Sequence, residues 1–475
     1  MNAVLRRLFA RQPLAWSSSE SDGAPKLRRA LGWPALMCIG LGTMLGGIFP
    51  TIGAGAHIAG PGVVLSFLIS GGICVCVALC YAEFASMVPV AGSAYTYAYA
   101  TLGEVVAWVI GWDLILEYGV SAAPVASSFS SYAQGLLQSA NITVPAWAAT
   151  ANVNAAHTQI DVIAAITVLG VSALLSLGIR ESSRVNAVFV ILQILSMLVF
   201  LAVAAPFVRA QHFTPFSPAG FSGILAGTSL VFFAYIGFDT VTVASEEARN
   251  PHRDVPIGIL ASLVIGSLLY VALTFVAVGV MDWRKLSDGA ALLDAIKSTT
   301  HNQWIIAIVG FGGVAGNLTV MLTSLLGQSR IFYVMSRDRM LPPFVAAIHP
   351  RFRTPSRMTM ITGVVVAILA AAVPLDFLLK LVNIGTLSAF TIVCAGILIL
   401  RYINPEAERP FRAPFGVFFA AAGTLACLVT MIGLGPATWL RFVLWFAVGL
   451  VAYFVYGYRK SRLRTGEAPQ PKADT

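Results

Sequence analysis

The sequence predicts an all-α polytopic membrane protein of about 12 transmembrane helices, of which the first and the sixth are broken. Of its 475 residues, 57% are hydrophobic and only 11% are charged, whereas soluble domains carry about 25% charged residues. Apolar runs of about 20 residues, the length that spans a bilayer, recur along the whole chain. Glycine interrupts two of these runs at corresponding places, which is typical of transporters built from inverted repeats.

The first apolar run, at about residues 33–59, contains Gly46-Gly47 shortly before Pro50. Glycine disfavours helix and proline removes a backbone donor, so we expect the helix to open near residues 46–48. Open backbone at membrane depth is tolerated only where it faces protein or a water-filled cavity, and its free N–H groups suit an anion. A small-residue face for helix packing is an alternative interpretation. A dinucleotide-binding loop is excluded because no strand–turn–helix context surrounds these glycines.

The following runs predict spans at about 63–88, 102–137, 162–177 and 185–208, and then a sixth at about 223–245. The sixth run contains Gly237 beside the lone acid Asp239, which marks a second break five spans after the first. A matched pair of interrupted segments is the strongest sequence indication of an inverted-repeat transporter. Further spans are predicted at about 256–280, 302–334, 358–373, 381–401, 415–433 and 438–457.

This organisation divides the chain into four parts: a polar tail at 1–30, a transport core of helices 1–10 at 31–401, helices 11–12 at 402–457, and a second tail at 458–475. With both tails on one side, that side holds 24 of the 30 Lys and Arg residues. Because basic loops stay in the cytoplasm, we expect both termini there and the protein in the plasma (inner) membrane. The net charge of +9 is therefore a topology signal, and we expect membrane lipid rather than nucleic acid around the protein.

Enzyme motifs are absent from the sequence. It contains no HExxH, no GxSxG and no P-loop, and no two of its six histidines have the spacing of metal ligands on a helix. The six cysteines lie in apolar runs without a CxxC pair. We therefore expect no enzymatic activity, no cofactor and no metal.

Five acidic residues lie inside the predicted spans, where ionisable groups are costly and usually face a cavity or a partner. They are Glu83, Glu104, Asp113, Glu117 and Asp239. Asp113 and Glu117 are four residues apart, which places them on one face of the third helix. They are interpreted either as the lining of a polar pathway, including one for a cationic substrate, or as hydrogen-bonded groups in helix packing.

Several stretches together resemble the amino acid–polyamine–organocation superfamily, in its bacterial branch related to the cationic amino-acid transporters. The resemblance runs in order from about residue 31 to about residue 458 and rests on residues 40–49, 80–89, 92–95, 111–118, 232–239, 246–251, 327–330, 383–387 and 411–414. It implies a five-plus-five inverted repeat followed by two extra helices. It also implies an amino-acid substrate.

The resemblance implies which backbone groups bind that substrate. In such proteins the broken first helix binds the carboxylate through N–H groups, here those of Gly46, Gly47 and Ile48. Carbonyls at the break of the sixth helix bind the ammonium, here those of Phe233, Ala234 and Ile236. The chemistry agrees, because N–H groups suit an anion and free carbonyls suit a cation.

Two departures from the family pattern concern the first and fifth helices. The glycine stretch before Ile48-Phe49 is one residue shorter than usual, and Gln193 stands where bacterial relatives have a lysine that resembles a protonatable substitute for sodium. Because glutamine cannot titrate, we predict transport without proton coupling. Glu83, Glu117 and Asp239 are the alternative proton carriers. The candidates for the pathway and for coupling are Gln193, Glu117, Asp113 and Asp239.

The sequence thus predicts an amino-acid permease that works by alternating access. An amino-acid or polyamine exchanger is the alternative among transporters. A membrane-embedded sensor that binds an amino acid without moving it is the alternative from another class. The matched breaks favour a transporter.

Overall fold

A computed structural model describes residues 31–87, 93–151, 159–177, 183–349, 354–403, 405–406 and 408–461. The two predicted tails, at 1–30 and 458–475, lie outside these residues except for 458–461. Within the described residues the chain forms twelve apolar helices, which we number α1 to α12. Their bounds are Trp33–Met44 with Ile52–Ala59 (α1), Val63–Met87 (α2), Glu104–Leu114 with Ala122–Ser139 (α3), Val162–Ser176 (α4), Ser183–Ala204 (α5), Gly220–Val231 with Phe238–Glu247 (α6), Pro251–Val280 (α7), Gln303–Arg337 (α8), Ser356–Ala372 (α9), Leu375–Ile403 (α10), Val417–Ile432 (α11) and Pro436–Ala452 (α12).

Length and hydropathy mark these helices as membrane spans. In the described part of the chain, eight helical stretches are long and apolar enough to cross a membrane, and four shorter apolar helices accompany them. The predicted fold class is thereby confirmed, and the protein is a multi-pass membrane protein. The start of α10 is the clearest difference in bounds, because the helix begins at Leu375 rather than near residue 381.

Helix α1 is broken where the glycines predict. Its α-helical first part ends at Met44, a tight 3₁₀ turn covers Leu45–Ile48, and α-helix resumes at Ile52. Pro50 has no N–H to donate to the preceding turn, and the hydroxyl of Thr51 donates to the carbonyls of Gly47 (2.9 Å) and Ile48 (3.0 Å). In a continuous helix, backbone N–H groups would bond to these two carbonyls. At the break, the Thr51 hydroxyl donates to them.

Helix α6 is broken at the corresponding place. Its first part gives way to a 3₁₀ turn at Phe232–Tyr235, Ile236 is extended, and Gly237 takes a φ of +118° before a second 3₁₀ stretch, Phe238–Glu247. Only glycine adopts that φ without strain. A Cβ atom at Gly237 would also lie 3.1 Å from the carbonyl carbon of Thr43 in α1. Gly237 therefore serves both the turn and the close approach of the two broken helices.

The helices pair as expected for two repeats of five. Corresponding helices pack on each other across the halves: α2 on α7, α3 on α8 and α4 on α9. The breaks of α1 and α6 also meet each other. This arrangement places both breaks together in the middle of the helix bundle.

Burial separates a central group of helices from a peripheral one. The apolar windows of α6 and α10 are 72% buried, whereas that of α12 is 22% buried. Large apolar side chains such as Leu440, Val443 and Val448 of α12 are exposed. Exposed apolar side chains on a spanning helix are suited to lipid contact, so α12 lies at the lipid-facing edge and α6 in the core.

The side of the bundle opposite the termini is covered by the segment between α7 and α8. There His57 of α1 lies 2.7 Å from the carboxylate of Asp288, and Ser128 of α3 donates to the carbonyl of Gly289 (2.7 Å). Gly53 of α1 packs directly against the carbonyl of Ser287. On the terminal side, two backbone hydrogen bonds join residue 31 to the end of α6 at residues 247 and 249.

Candidate functional site

The two breaks approach so closely that only glycine fits between them. A Cβ atom added to Gly47 would lie 2.8 Å from Cα of Ala234 and 3.1 Å from the carbonyl oxygens of Phe233 and Ala234. The atoms in the way are backbone atoms, which cannot rotate aside as a side chain does. Backbone from α1 therefore faces backbone from α6 with no side chain between them.

A cavity adjoins this contact. Its empty space is about 420 Å³, part of it open solvent. Backbone and side chains of α1, α3, α6 and α8 line it: Thr43, Gly47, Glu117, Tyr118, Ser121, Phe233, Ile236, Gly237, Thr240, Val320, Thr323 and Ser324. Of the α1 and α6 lining residues, Thr43 and Thr240 lie in the halves that lead to the terminal side, and the other four lie in the breaks. The lining combines hydroxyl groups, apolar side chains and one carboxylate.

Three of the six predicted substrate-binding residues line the cavity, namely Gly47, Phe233 and Ile236. The other three are buried behind it. Gly46 packs against Val320 and the carbonyl of Gly316 in α8.

Ile48 and Ala234 both accept side-chain hydrogen bonds instead of lining the cavity. The carbonyl of Ile48 accepts from Thr51 (3.0 Å), and the carbonyl of Ala234 accepts from the hydroxyl of Tyr270 (2.8 Å). The carbonyl of Phe233 accepts from the N–H of Ile236 at 3.1 Å. The carbonyl of Ile48 also accepts from the N–H of Thr51 at 3.1 Å, whereas the carbonyls of Phe233 and Ala234 each have a second lone pair for another donor.

Glu117 is the acid that reaches the cavity, and it lies in a distorted turn of α3. Residues Ile115–Val120 form a π-helical turn within α3, a distortion that frequently accompanies functional sites. The Glu117 side chain is 1% exposed, and neither carboxylate oxygen has a hydrogen-bond partner. A buried polar group aimed at a cavity without a partner is suited to bind a ligand or a proton.

Asp113 and Asp239 lie near Glu117 but outside the cavity lining. Both interact electrostatically with the Glu117 carboxyl group. Asp239 accepts a hydrogen bond from the hydroxyl of Tyr118 at 3.2 Å, while Asp113 lies beside Ser388 of α10. Three acids are thus gathered around one end of the cavity, and one of them faces it.

Glu83 and Glu104 are held by partners elsewhere. Arg401 of α10 donates two hydrogen bonds to Glu83, from Nε at 3.0 Å and from Nη2 at 2.5 Å, and the N–H of Ala413 adds a third at 2.9 Å. Glu104 accepts from the hydroxyl of Tyr453 at 2.8 Å. These contacts tie helices together, and they occupy both oxygens of the Glu83 carboxylate.

Gln193 lies behind the break of α1, where α5 meets α8. A Cβ atom at Gly316 would lie 3.1 Å from both Cδ and Nε2 of Gln193, and Gly316 is the residue against which Gly46 packs. The side chain is fully buried, and neither amide atom has a hydrogen-bond partner. Gln193 is therefore next to the break of α1 but carries no titratable group.

Sequence reasoning missed the contributions of α7 and α8. Val320, Thr323 and Ser324 form the α8 wall of the cavity. The glycines at 310, 312, 313 and 316 were a usable signal, since they allow close approach to neighbouring helices. Nothing in the sequence distinguishes Tyr270 of α7 from other tyrosines in spans.

Two discontinuous helices that meet at a cavity in the middle of a helical membrane bundle define a secondary transporter. The Amino acid permease family model matches residues 31–454, and the chain belongs to that family. Two relatives from Bacillus subtilis (strain 168) are each 40% identical over 96% of this chain and 99% of their own length: the branched-chain amino acid permease BcaP and a methylthioribose transporter. The vacuolar cationic amino acid transporter 4 of Arabidopsis thaliana is 36% identical over 86% of this chain and 68% of its own length.

These comparisons confirm the resemblance and the interpretation as an amino-acid transporter. The family and the relatives are transporters rather than enzymes. The relatives' names differ in substrate, and their names alone do not assign one to this chain.

Proposed function

We propose that this protein carries an α-amino acid across the plasma (inner) membrane by alternating access, with both termini in the cytoplasm. The observation that carries the proposal is the meeting of the two breaks at a cavity that Gly47, Phe233 and Ile236 line. An α-amino acid has an anionic and a cationic end on adjacent atoms. The facing backbone segments at the two breaks offer N–H groups for one end and carbonyls for the other.

The carboxylate is assigned to the N–H groups of Gly46, Gly47 and Ile48. Gly47 supports this assignment because it lines the cavity and lacks a side chain that would fill the space. The ammonium is assigned to the carbonyls at the break of α6, those of Phe233, Ala234 and Ile236. These carbonyls retain lone pairs for a further donor.

The substrate's side chain is assigned to the part of the cavity between α3 and α8. Glu117 offers a carboxylate to a cationic or donor-bearing group there, while Val320 and Ile236 offer apolar contact. Asp113 and Asp239 set the local field around Glu117. The relatives' names include both branched-chain and cationic amino acids, and this mixed lining is compatible with either class.

Transport is proposed to proceed without proton coupling. Proton coupling requires a group whose charge changes during the cycle, and Gln193 has none. Glu117 and Asp239 are the alternative carriers, because both are buried near the cavity. Exchange of one amino acid or polyamine for another fits the same site.

A neutral sugar is the competing substrate class. One relative is named a methylthioribose transporter, and methylthioribose has neither an ammonium nor a carboxylate. Hydroxyl groups of Thr43, Ser121, Thr240, Thr323 and Ser324 line the cavity and would suit a sugar. The substrate experiment therefore has to include both classes.

The test is counterflow in proteoliposomes loaded with one unlabelled compound and supplied with labelled substrate outside. We expect amino acids to support counterflow, and N-acetylated or deaminated analogues to compete far more weakly, by up to roughly 10⁴. Binding without counterflow would support the sensor interpretation. Counterflow by methylthioribose alone, or equal competition by N-acetylated amino acids, would contradict the proposal.

A further inference from the structure

Tyr270 of α7 bonds to both breaks with a single hydroxyl group. Its oxygen lies 2.6 Å from the carbonyl oxygen of Met44, where the first part of α1 ends, and 2.8 Å from the carbonyl oxygen of Ala234 in α6. The side chain is fully buried. One residue of a third helix therefore connects the two halves of the proposed site.

Packing fixes the position of this hydroxyl. The Tyr270 ring meets the ring of Tyr235 edge-on at 5.3 Å between centroids and lies 5.9 Å from the ring of Phe67. One turn earlier in α7, Gly266 leaves room for the Met44 side chain, since a Cβ atom there would collide with the methyl group of Met44. Helix α7 is therefore shaped to receive both the side chain and the carbonyl of Met44.

The number of hydrogen-bond donors at this contact is smaller than the number of acceptors. A phenolic hydroxyl donates one hydrogen, while two buried carbonyls face it. The two carbonyls share the hydrogen of this hydroxyl. Met44 is also the N-cap residue of the 3₁₀ turn Leu45–Ile48, where its carbonyl accepts a backbone hydrogen bond, so a second donor matters most to Ala234. An ammonium group brings three donors. When it bonds to Ala234, the Tyr270 proton becomes available to Met44 alone, and both carbonyls are satisfied.

We infer that Tyr270 is a positioning residue for the substrate's ammonium group, which it serves by holding the carbonyl of Ala234 at a fixed distance from the break of α1. The inference rests on the proposed function, because it assumes that the carbonyls of α6 bind an ammonium. Tyr270 acts through the carbonyls and needs no contact with substrate. Its loss weakens recognition of the ammonium more than recognition of the carboxylate.

The test compares Tyr270→Phe with Tyr235→Phe in proteoliposome counterflow. Tyr235 is a matched control: it is also a fully buried tyrosine, and its hydroxyl donates to the carbonyl of Phe67 at 2.7 Å, away from Met44 and Ala234. For Tyr270→Phe we expect the half-saturation concentration of the amino acid to rise by up to roughly tenfold, the size of one hydrogen bond between neutral groups. The inhibition constant of the deaminated analogue, measured at millimolar concentration, should stay within about twofold.

Tyr235→Phe should lower thermal stability and leave both constants unchanged. Equal weakening of amino acid and analogue in Tyr270→Phe would show a merely structural role and overturn the inference, as would an unchanged half-saturation concentration.

If Tyr270→Phe does not fold, p-aminophenylalanine at position 270 keeps the ring and a donor. That variant should retain the wild-type half-saturation concentration, and a selective loss of amino-acid affinity in it would also overturn the inference. Absence of amino-acid counterflow in the unmodified protein would instead refute the proposed function.

Discussion

Replacing Gly47 with alanine tests the close approach of the two breaks with the smallest possible change. The added Cβ atom would lie 2.8 Å from Cα of Ala234, whereas ordinary contacts begin at 3.4 Å. The breaks must therefore separate by about 0.6 Å, the difference between these two distances. No rotamer change relieves the contact, because the opposing atoms belong to the backbone of α6.

The expected cost follows from overpacking. Inserting one carbon into a tightly packed contact typically costs about 1–3 kcal/mol, and each 1.4 kcal/mol is a tenfold change in an equilibrium constant. We therefore expect Gly47→Ala to lower the free energy of unfolding by about 1–3 kcal/mol. Amino-acid affinity should weaken as well, by at most roughly 150-fold, the limit reached if the whole cost appears when the breaks close on the substrate. Gly47→Leu should abolish uptake while membrane insertion is retained, because its side chain would also fill the space assigned to the carboxylate.

The assay is counterflow together with substrate-induced thermal stabilisation of the purified protein. Gly72→Ala is the matched control: Gly72 lies within α2, and a Cβ atom there meets nothing within 4 Å. The control should keep wild-type affinity and gain slightly in stability. Wild-type affinity and counterflow in Gly47→Ala would refute the reasoning, since a gap of that size cannot hold a methyl group without displacing α6.

Three further predictions concern the buried polar side chains. In proteoliposomes with an acidic exterior, the unmodified protein should not accumulate substrate uphill, and Gln193→Lys is measured alongside it. Uphill accumulation by the unmodified protein would contradict transport without proton coupling and would favour the buried acids as proton carriers. Glu117→Gln should weaken competition by cationic amino acids at least tenfold, because a hydrogen bond to a charged group contributes about 1.5–3 kcal/mol. Asp113→Asn, whose residue lies outside the cavity lining, should change this competition little. Equal effects of the two variants would argue against a role for Glu117 in the cavity. Glu83→Ala should cost about 3–5 kcal/mol of stability, because it leaves Arg401 without its buried partner, and should lower the thermal midpoint without changing substrate affinity. Weaker binding by that variant would place Glu83 in the transport pathway instead.

The breaks were predictable from the sequence because their causes are local. Two adjacent glycines ahead of Pro50 weaken a helix wherever it lies, and a helix in lipid has no water to bond its open backbone. Gly237 likewise marks the point where α6 needs a positive φ. The spacing of the apolar runs fixed the number of helices for an equally local reason, since each run has to match the thickness of the bilayer.

The tertiary structure decided which residues face the cavity. Gly46 and Gly47 are neighbours with the same local chemistry, yet one packs against α8 and the other against α6. Asp113 and Glu117 were predicted to share a helix face, and only Glu117 lies in the cavity lining. Such differences depend on helix rotation and local geometry, which apolar periodicity does not specify.

Partners distant in sequence were also beyond sequence reasoning. From the sequence, Glu83 was as good a candidate proton carrier as Glu117. In the structure, Arg401, 318 residues later in the chain, donates a hydrogen bond to the Glu83 carboxylate. Tyr270 looked like any tyrosine in a span until α7 placed its hydroxyl between the carbonyls of Met44 and Ala234. The sequence by itself determined the membrane architecture and the positions of the breaks, because both follow from short-range chemistry and the bilayer. Only the packed bundle decided which of the described polar groups have hydrogen-bond partners and which line the cavity, because that depends on contacts between helices far apart in the chain.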